Sequence, residues 1–168
     1  MSSGSAGTAT PLRRPPIKQS TTVRSDIGHT FDVFVRTIGQ WWPRVPFSRG
    51  CDRVRDVTLE RRLGGRVYEK WDDGTTVEWG RLLVWEPPHR FVMSWEMTPA
   101  TTEVELQFGY LGPSLTRVSV EHRGWERLSE DQLGEDCALP GGYLGDAFDK
   151  GWAHILGCFV ELADRYDT

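Results

Sequence analysis

The sequence predicts an α+β fold in which a curved antiparallel sheet of six or seven strands wraps around a long C-terminal helix. Between about residues 57 and 122, segments of alternating apolar and polar residues are separated by short turns, which is typical of an antiparallel meander. Near the C-terminus, apolar residues recur every three or four positions, which indicates one face of a helix. A single sheet must cover its apolar face, so this helix is expected to pack against it.

The N-terminal part of the chain predicts one strand followed by one or two short helices. Residues 17–25 are rich in β-branched side chains and roughly alternate, which favours a strand. Asp26 then provides an N-cap for a helix with an apolar face. Pro43 prevents that helix from continuing, so Trp41 and Trp42 are expected in a turn or in a second short helix.

The middle of the chain predicts six consecutive strands. The alternating segments are residues 57–63, 67–71, 77–85, 91–97, 104–110 and 116–122. Glycine, proline and aspartate residues mark the turns between them. A sheet this wide is strongly twisted and curls around the helix, which leaves either a packed core or a cavity inside the curl.

The C-terminal helix is predicted from an amphipathic stripe. Its apolar members are Leu144, Phe148, Trp152, Ile155, Phe159, Leu162 and Tyr166. Gly145, Gly151 and Gly157 lie inside this helix, where each glycine costs up to ~1 kcal/mol relative to alanine. A close approach to the sheet would account for them.

Length and composition are those of one globular domain. Residues 1–16 are rich in Ser, Gly, Thr and Pro and are interpreted as a flexible leader, and residues 17–168 as a single domain. The net charge of −4 is spread along the chain without a basic patch, so no nucleic-acid partner is expected. No apolar run approaches the roughly 20 residues that span a bilayer, and the three cysteines are scattered as in reduced cytoplasmic proteins. We therefore expect a cytoplasmic protein without a membrane span.

Neither a metal nor a cofactor is predicted. The four histidines lie far apart and form no short metal-binding pair. The Gly141-Gly142 pair is too short for a phosphate-binding loop and indicates a turn. No nucleophile motif occurs either, so no residue is assigned as catalytic.

The number of tryptophans points to a ligand surface. Eight are present, and each buried aromatic ring removes ~150–250 Å² from water, so far fewer would hold such a domain together. The candidate ligand-binding side chains of this apolar set are Trp41, Trp42, Trp71, Trp79, Trp95, Phe108, Trp152 and Leu156. The alternative interpretation is that they simply fill the core of a fold with a large sheet.

Two polar residues are candidates for the same surface. Glu69 shares the strand face of Val67 and Trp71, and His122 shares the face of Val120. An inward carboxylate or imidazole would orient a ligand or transfer a proton. Alternatively, an arginine across the hairpin satisfies Glu69 and a backbone carbonyl satisfies His122.

Several longer motifs resemble one known family. They are WWP at 41–43, GGRVYEKWDDG at 64–74, EWGRLLVWEPPHR at 78–90, SWEM at 94–97, TEVELQF at 102–108, TRVSVEHRGWERL at 116–128 and GW at 151–152. Together they resemble the bacterial START-like (SRPBCC) superfamily, in the branch related to the C-terminal domain of the activator of the heat-shock-protein-90 ATPase. The resemblance extends from Ile17 to the end of the chain and implies the helix-grip fold. The superfamily includes lipid carriers, polyketide cyclases and hormone receptors, so fold alone does not define the ligand.

Three functions follow as hypotheses. The first is binding of a small hydrophobic or aromatic ligand between sheet and helix, without catalysis. The second is a polyketide cyclase-like enzyme in which Glu69 or His122 carries the proton. The third is a protein–protein module with a chaperone partner, as the named relative implies. A homodimer is a further open alternative.

Overall fold

The computed structural model describes residues 14–133 and 147–166 of the chain. It begins with β1 (Ile17–Val23), followed by the helices α1 (Ile27–Arg36), α2 (Ile38–Trp41) and α3 (Arg44–Phe47). Six strands come next: β2 (Val54–Leu59), β3 (Arg66–Trp71), β4 (Thr76–Glu86), β5 (Arg90–Trp95), β6 (Thr102–Gly112) and β7 (Leu115–Arg123). The helices α4 (Glu130–Leu133) and α5 (Ala147–Tyr166) complete it, and single 3-10 turns lie at Cys51–Arg53 and Trp125–Arg127.

The seven strands form one antiparallel sheet in the order β1-β7-β6-β5-β4-β3-β2. The strands from β2 to β7 form a meander. The first strand, β1, pairs with the last strand, β7, so that Ile17 lies opposite His122. The register shifts within the β2–β3, β3–β4 and β4–β5 pairs. Such irregularities increase the local twist and bend the sheet. The predicted fold, a curled antiparallel sheet with a long C-terminal helix, is confirmed.

The start of α1 follows the predicted N-cap. The Asp26 carboxylate accepts a hydrogen bond of 2.8 Å from the backbone N–H of His29, which satisfies one of the free donors at the helix start. The buried face of α1 includes Phe31 and Phe34. Trp41 ends α2, as the predicted second short helix requires.

The long helix α5 covers the concave face of the sheet. Its buried hydrophobic side chains are Phe148, Trp152, Ile155, Leu156, Phe159 and Ala163. Gln19 on β1 donates a hydrogen bond of 2.9 Å to the Asp149 carboxylate, which ties the start of the helix to the first strand. No helix among the described residues is long and apolar enough to cross a membrane.

Some sequence predictions lie outside the described residues. They are Leu144 of the helical stripe, Gly145 of the predicted helix, the Gly141-Gly142 turn and most of the leader. The division into a leader and one domain stays a prediction.

Candidate ligand site between the sheet and the long helix

The interior between sheet and α5 is lined by apolar and aromatic side chains and is almost completely filled. The lining residues are Phe34, Ile38, Trp42, Leu59, Val67, Trp79, Phe91, Met93, Trp95, Val104, Leu106 and Trp152. They enclose a cavity of about 10 Å³, which is close to the smallest space that holds one water molecule. Four of the predicted site residues therefore meet here: Trp42, Trp79, Trp95 and Trp152.

Trp42 lies at the centre of this aromatic cluster. Its ring centroid is 4.9 Å from that of Trp79, 5.9 Å from Trp152 and 6.4 Å from Trp95. Its indole Nε1 donates a hydrogen bond of 2.8 Å to the backbone carbonyl of Phe47. Of these four side chains, Trp42 alone comes from the connection between α2 and β2, whereas the others belong to the sheet or to α5.

The first part of this connection, residues 42–50, crosses one end of the interior and is called the strap below. On one side the Phe47 ring lies 5.7 Å from the ring of His154 on α5. On the other side Arg49 donates a hydrogen bond of 3.0 Å to the backbone carbonyl of Glu96. A Cβ atom on Gly50 would lie 2.4 Å from Nε1 of Trp71, so the strap approaches β3 too closely for any other residue.

Glu69 on β3 holds the strap to the sheet. Its Oε1 accepts hydrogen bonds from the backbone N–H of Arg49 at 2.8 Å and from Trp79 Nε1 at 2.7 Å. Its Oε2 accepts from the backbone N–H of Gly50 at 2.7 Å and from Trp71 Nε1 at 2.6 Å. The carboxylate is fully buried, with two N–H donors on each oxygen. These donors, and not an arginine across the hairpin, compensate for its burial.

His122 on β7 is also fully buried and belongs to a second polar network. Its Nδ1 accepts a hydrogen bond of 3.1 Å from Trp152 Nε1, and its Nε2 lies 2.8 Å from the Thr102 hydroxyl. Burial lowers the pKa of His122 from 6.5 to about 3, because the charged imidazolium would lose its hydration. The partners are therefore an indole and a hydroxyl, and not the backbone carbonyl expected as an alternative.

Four predicted site residues lie away from the cavity. Trp71 is half-buried at the end of β3, where the Arg53 guanidinium lies 4.2 Å from its ring centroid. Phe108 packs against Phe31 and Phe34 with ring centroids 5.0 and 5.4 Å away. Trp41 packs against Phe34 and Phe159, and Leu156 is buried on α5.

Several residues of the two networks were not among the predicted site residues. Thr102 lies two residues before Val104 on β6 and shares its inward face, so strand parity alone could have identified it. Trp125 contacts His122 with a centroid distance of 4.4 Å and donates to its backbone carbonyl at 2.9 Å. The two strap donors to Glu69 are backbone groups, which no side-chain pattern indicates.

Two buried indole N–H groups have no acceptor within the described part of the chain: those of Trp41 and Trp95. Of the two, Trp95 alone lines the cavity. The N–H groups of the other cavity tryptophans are all paired, to Phe47, Glu69 and His122.

The convex face of the sheet is polar. Glu105 is buried there between Arg90 and Arg123, at 2.9 and 2.7 Å. Burial alone would raise the pKa of Glu105, but hydrogen bonds from Gln107, Arg123 and Arg90 outweigh it and lower this pKa. In residues 14–133 and 147–166, no three His, Cys, Asp or Glu side chains lie close enough together to hold a metal ion.

The sequence and the fold match known proteins. A model of the family described as "Activator of Hsp90 ATPase homolog 1-like protein" matches residues 30–163. Among curated protein sequences, none is similar enough to count as a relative.

Among solved structures, CalC from Micromonospora echinospora, described as a self-sacrificing resistance protein, is 25% identical with a TM-score of 0.62, over 90% of this chain and 96% of that one. Txn09, described as an anthrahydroquino-gamma-pyrone synthase complexed with SUM, is 26% identical with a TM-score of 0.53, over 90% and 99%. An AHSA1-like protein from Aeromonas hydrophila is 17% identical with a TM-score of 0.57, over 89% and 94%, which supports the fold alone.

Proposed function

Because the chain belongs to the family of activator of Hsp90 ATPase homolog 1-like proteins, within the START-like superfamily that its motifs predict, we propose that it binds a small, flat, largely apolar molecule between the sheet and α5. Binding takes place without catalysis. The observation that carries this proposal is the wall of four tryptophan rings around a residual cavity, one of which, Trp42, belongs to the strap and not to the sheet or to α5. Concave apolar surfaces with few polar groups are the usual form of ligand sites.

A ligand has to displace part of the present wall. The cavity of about 10 Å³ is far below the ~150 Å³ at which an apolar cavity binds benzene. Trp42 is the side chain that can move out of the interior, because it belongs to the strap. Its indole is larger than benzene, so its withdrawal would leave room for an aromatic ring. Withdrawal of its ring would expose the rings of Trp79, Trp95 and Trp152 to the ligand.

The contacts that attach the strap are compatible with its opening. Its contacts to the rest of the protein include the two backbone hydrogen bonds to Glu69, the hydrogen bond from Arg49 to the carbonyl of Glu96, and the ring contact between Phe47 and His154. Val45 at its middle is 61% exposed. Apart from Trp42, no apolar side chain of the strap is fully buried, and segments with few buried apolar contacts open at low free-energy cost.

The positions and hydrogen bonds of the two candidate proton carriers, Glu69 and His122, favour binding over catalysis. Neither Glu69 nor His122 is among the residues that line the cavity. Both oxygens of Glu69 and both ring nitrogens of His122 already have hydrogen-bond partners in the protein. A general base needs a free lone pair within reach of the substrate proton, which neither group offers.

Of the two solved structures that share about a quarter of their residues with this chain, one is described as a self-sacrificing resistance protein and the other as an anthrahydroquino-gamma-pyrone synthase complexed with SUM. The second description supports a small molecule as the partner of this chain as well. A polyketide cyclase-like reaction is the enzymatic alternative, and it would require a proton carrier other than the two above.

The test is binding of fluorene, a planar tricyclic hydrocarbon, measured by equilibrium dialysis. We expect saturable binding to the wild-type protein and at least tenfold tighter binding to Trp42→Ala, because this variant no longer has to withdraw the ring. Trp41→Ala, which removes an equal ring outside the cavity, is the matched control and should not tighten binding. Absence of saturable binding to both wild type and Trp42→Ala would refute the proposal.

Native mass spectrometry of the purified protein is a second test. A reproducible additional mass of a few hundred daltons would support the proposal and identify the natural ligand. The same spectrum separates a monomer from a homodimer, which stays a prediction, as does the cytoplasmic location.

A protein–protein module is the second candidate, and a surface feature favours it. Tyr110, Leu111 and Leu115 are exposed together at the tip of the β6–β7 hairpin. Exposed apolar groups of this kind mark contact sites. If this tip binds a chaperone of the heat-shock-protein-90 type, the wild-type protein should stimulate its ATP hydrolysis and the Tyr110→Ser/Leu111→Ser variant should not. An equal effect of both proteins, or none, would exclude the tip as that site.

A further inference from the structure

We infer that the ligand carries a neutral acceptor oxygen, the carbonyl of a planar aromatic ketone, and that the indole N–H of Trp95 donates a hydrogen bond to it. This inference rests on the proposed function and names the ligand class of the same site. Trp95 is then the residue that determines specificity within an otherwise apolar wall.

The N–H of Trp95 differs from those of its neighbours. Trp42, Trp79 and Trp152 all donate to an acceptor of the protein, at 2.8, 2.7 and 3.1 Å. Trp95 is only 5% exposed and lines the cavity, and its Nε1 has no acceptor among the described residues. Buried donors without an acceptor are rare because they lose a hydrogen bond to water and gain nothing in return.

The cavity wall does not supply the missing acceptor. Apart from the tryptophans, whose indoles have only N–H donors, its side chains are aliphatic, phenyl or thioether groups. A water molecule needs two to four polar partners to be held inside a protein, and the surface of the present cavity is apolar. An oxygen on a ligand that has displaced the Trp42 ring needs only one donor, the N–H of Trp95.

The charge of the site defines the kind of oxygen. Among the described residues, no lysine, arginine or histidine lines the cavity, so a carboxylate or a phosphate would be buried there without a counter-charge. A carbonyl oxygen is neutral and accepts one N–H at a low desolvation cost. The flat tryptophan surfaces around it favour a planar ring system.

The Trp95 ring is held in position before a ligand arrives. Its centroid lies 5.5 Å from Trp152, 6.0 Å from Trp79 and 5.5 Å from the His122 imidazole. His122 and Trp79 are themselves fixed by the two buried polar networks. A donor fixed in this way loses little entropy when it binds an acceptor.

The experiment compares 9-fluorenone with fluorene, which differ by one carbonyl group on the same planar ring system. Equilibrium dialysis gives both dissociation constants for the wild type, Trp95→Phe and Trp41→Phe. Trp41→Phe is the matched control, since it removes an equally buried and unpaired N–H that does not line the cavity. Unfolding curves confirm that each variant is folded.

We expect the wild type and Trp41→Phe to bind fluorenone more tightly than fluorene. In Trp95→Phe the ratio of the two dissociation constants should shift about tenfold against fluorenone, because the carbonyl is then buried without a donor. An unchanged ratio in Trp95→Phe, with fluorene still bound, would overturn this inference and leave the proposed function standing. Failure of both compounds to bind these three proteins and Trp42→Ala would overturn the proposed function and the inference with it.

Discussion

The indole Nε1 of Trp152 on α5 donates a hydrogen bond of 3.1 Å to Nδ1 of His122 on β7. Nδ1 is therefore the acceptor, and the network assigns the ring proton to Nε2, which donates to the Thr102 hydroxyl at 2.8 Å. The Thr102 hydroxyl then donates to that of Thr98 at 3.0 Å, and Thr98 donates to the carbonyl of Ala100 at 2.7 Å. The hydrogen bonds thus form one continuous chain, in which each group accepts from the one before it and donates to the next, and this chain connects the long helix to the turn before β6.

Thr102→Val should destabilise the protein, although valine has nearly the same shape. The substitution leaves the Nε2–H of His122 buried without an acceptor, which costs about 1–3 kcal/mol. Urea unfolding at pH 7 measures this loss. Thr76→Val, at an exposed position on β4, is the control and should change the free energy of unfolding by less than about 0.5 kcal/mol. Equal effects of the two substitutions would contradict the network.

Acid should destabilise the fold through His122. Its pKa is about 3 in the folded protein and near 6.5 when unfolded, so between these values the unfolded state binds one more proton. Stability is therefore complete above about pH 6.5 and is lost as the pH falls towards 3, by up to about 1.4 kcal/mol per pH unit. Unfolding free energies of wild type and His122→Gln between pH 4 and 7 measure the difference in slope. Parallel curves for the two proteins would show that His122 does not remain neutral in the fold.

Glu69→Gln should loosen the strap and destabilise the sheet. Each carboxylate oxygen accepts two N–H groups, so an amide nitrogen at either position would face two donors. We expect a loss of about 3 kcal/mol and faster hydrogen exchange at the backbone amides of Arg49 and Gly50. Glu78→Gln, at a partly exposed position on β4, is the control and should change neither quantity by much. Unchanged exchange at both amides in Glu69→Gln would mean that other contacts hold the strap.

The strands and the long helix were predictable because their apolar periodicity is a local property of the sequence. Strand parity also placed Glu69 and His122 inside the fold. Their partners were not predictable in the same way. The donors to Glu69 include backbone N–H groups about 20 residues away, at Arg49 and Gly50, and the position of such groups depends on how the strap folds back.

The volume of the interior could not be predicted from the sequence either. Parity indicates which side chains point inwards, but whether they leave a pocket depends on how four indole rings interlock, and here they leave about 10 Å³. Trp71 illustrates a second limit. It shares the face of Glu69, yet it lies at the end of β3 and is only half-buried.

A glycine in the sheet allows two strands to approach each other closely. A Cβ atom on Gly80 of β4 would be 1.7 Å from the backbone carbonyl oxygen of Ser94 on β5. Gly80→Ala should therefore force the two strands apart and cost about 3 kcal/mol or more, as steric overlap in a packed core does. Gly109→Ala on β6, where the nearest atom would be 3.9 Å away, is the control and should be nearly neutral. Thermal unfolding of both variants checks this, and similar melting temperatures would contradict it.

Gly157 in α5 behaves in the opposite way. The expectation that close packing requires this glycine is wrong, because a Cβ atom there would meet no atom within 4 Å. Gly157→Ala should stabilise the protein by about 0.5–1 kcal/mol, since alanine restricts the unfolded chain and favours the helix. Gly64→Ala is the matched control: it also has open space, but its φ of +77° is unfavourable for alanine, so this variant should lose stability. Chemical unfolding measures the free energy of unfolding of both variants. A loss of stability in Gly157→Ala would contradict the open space around this position.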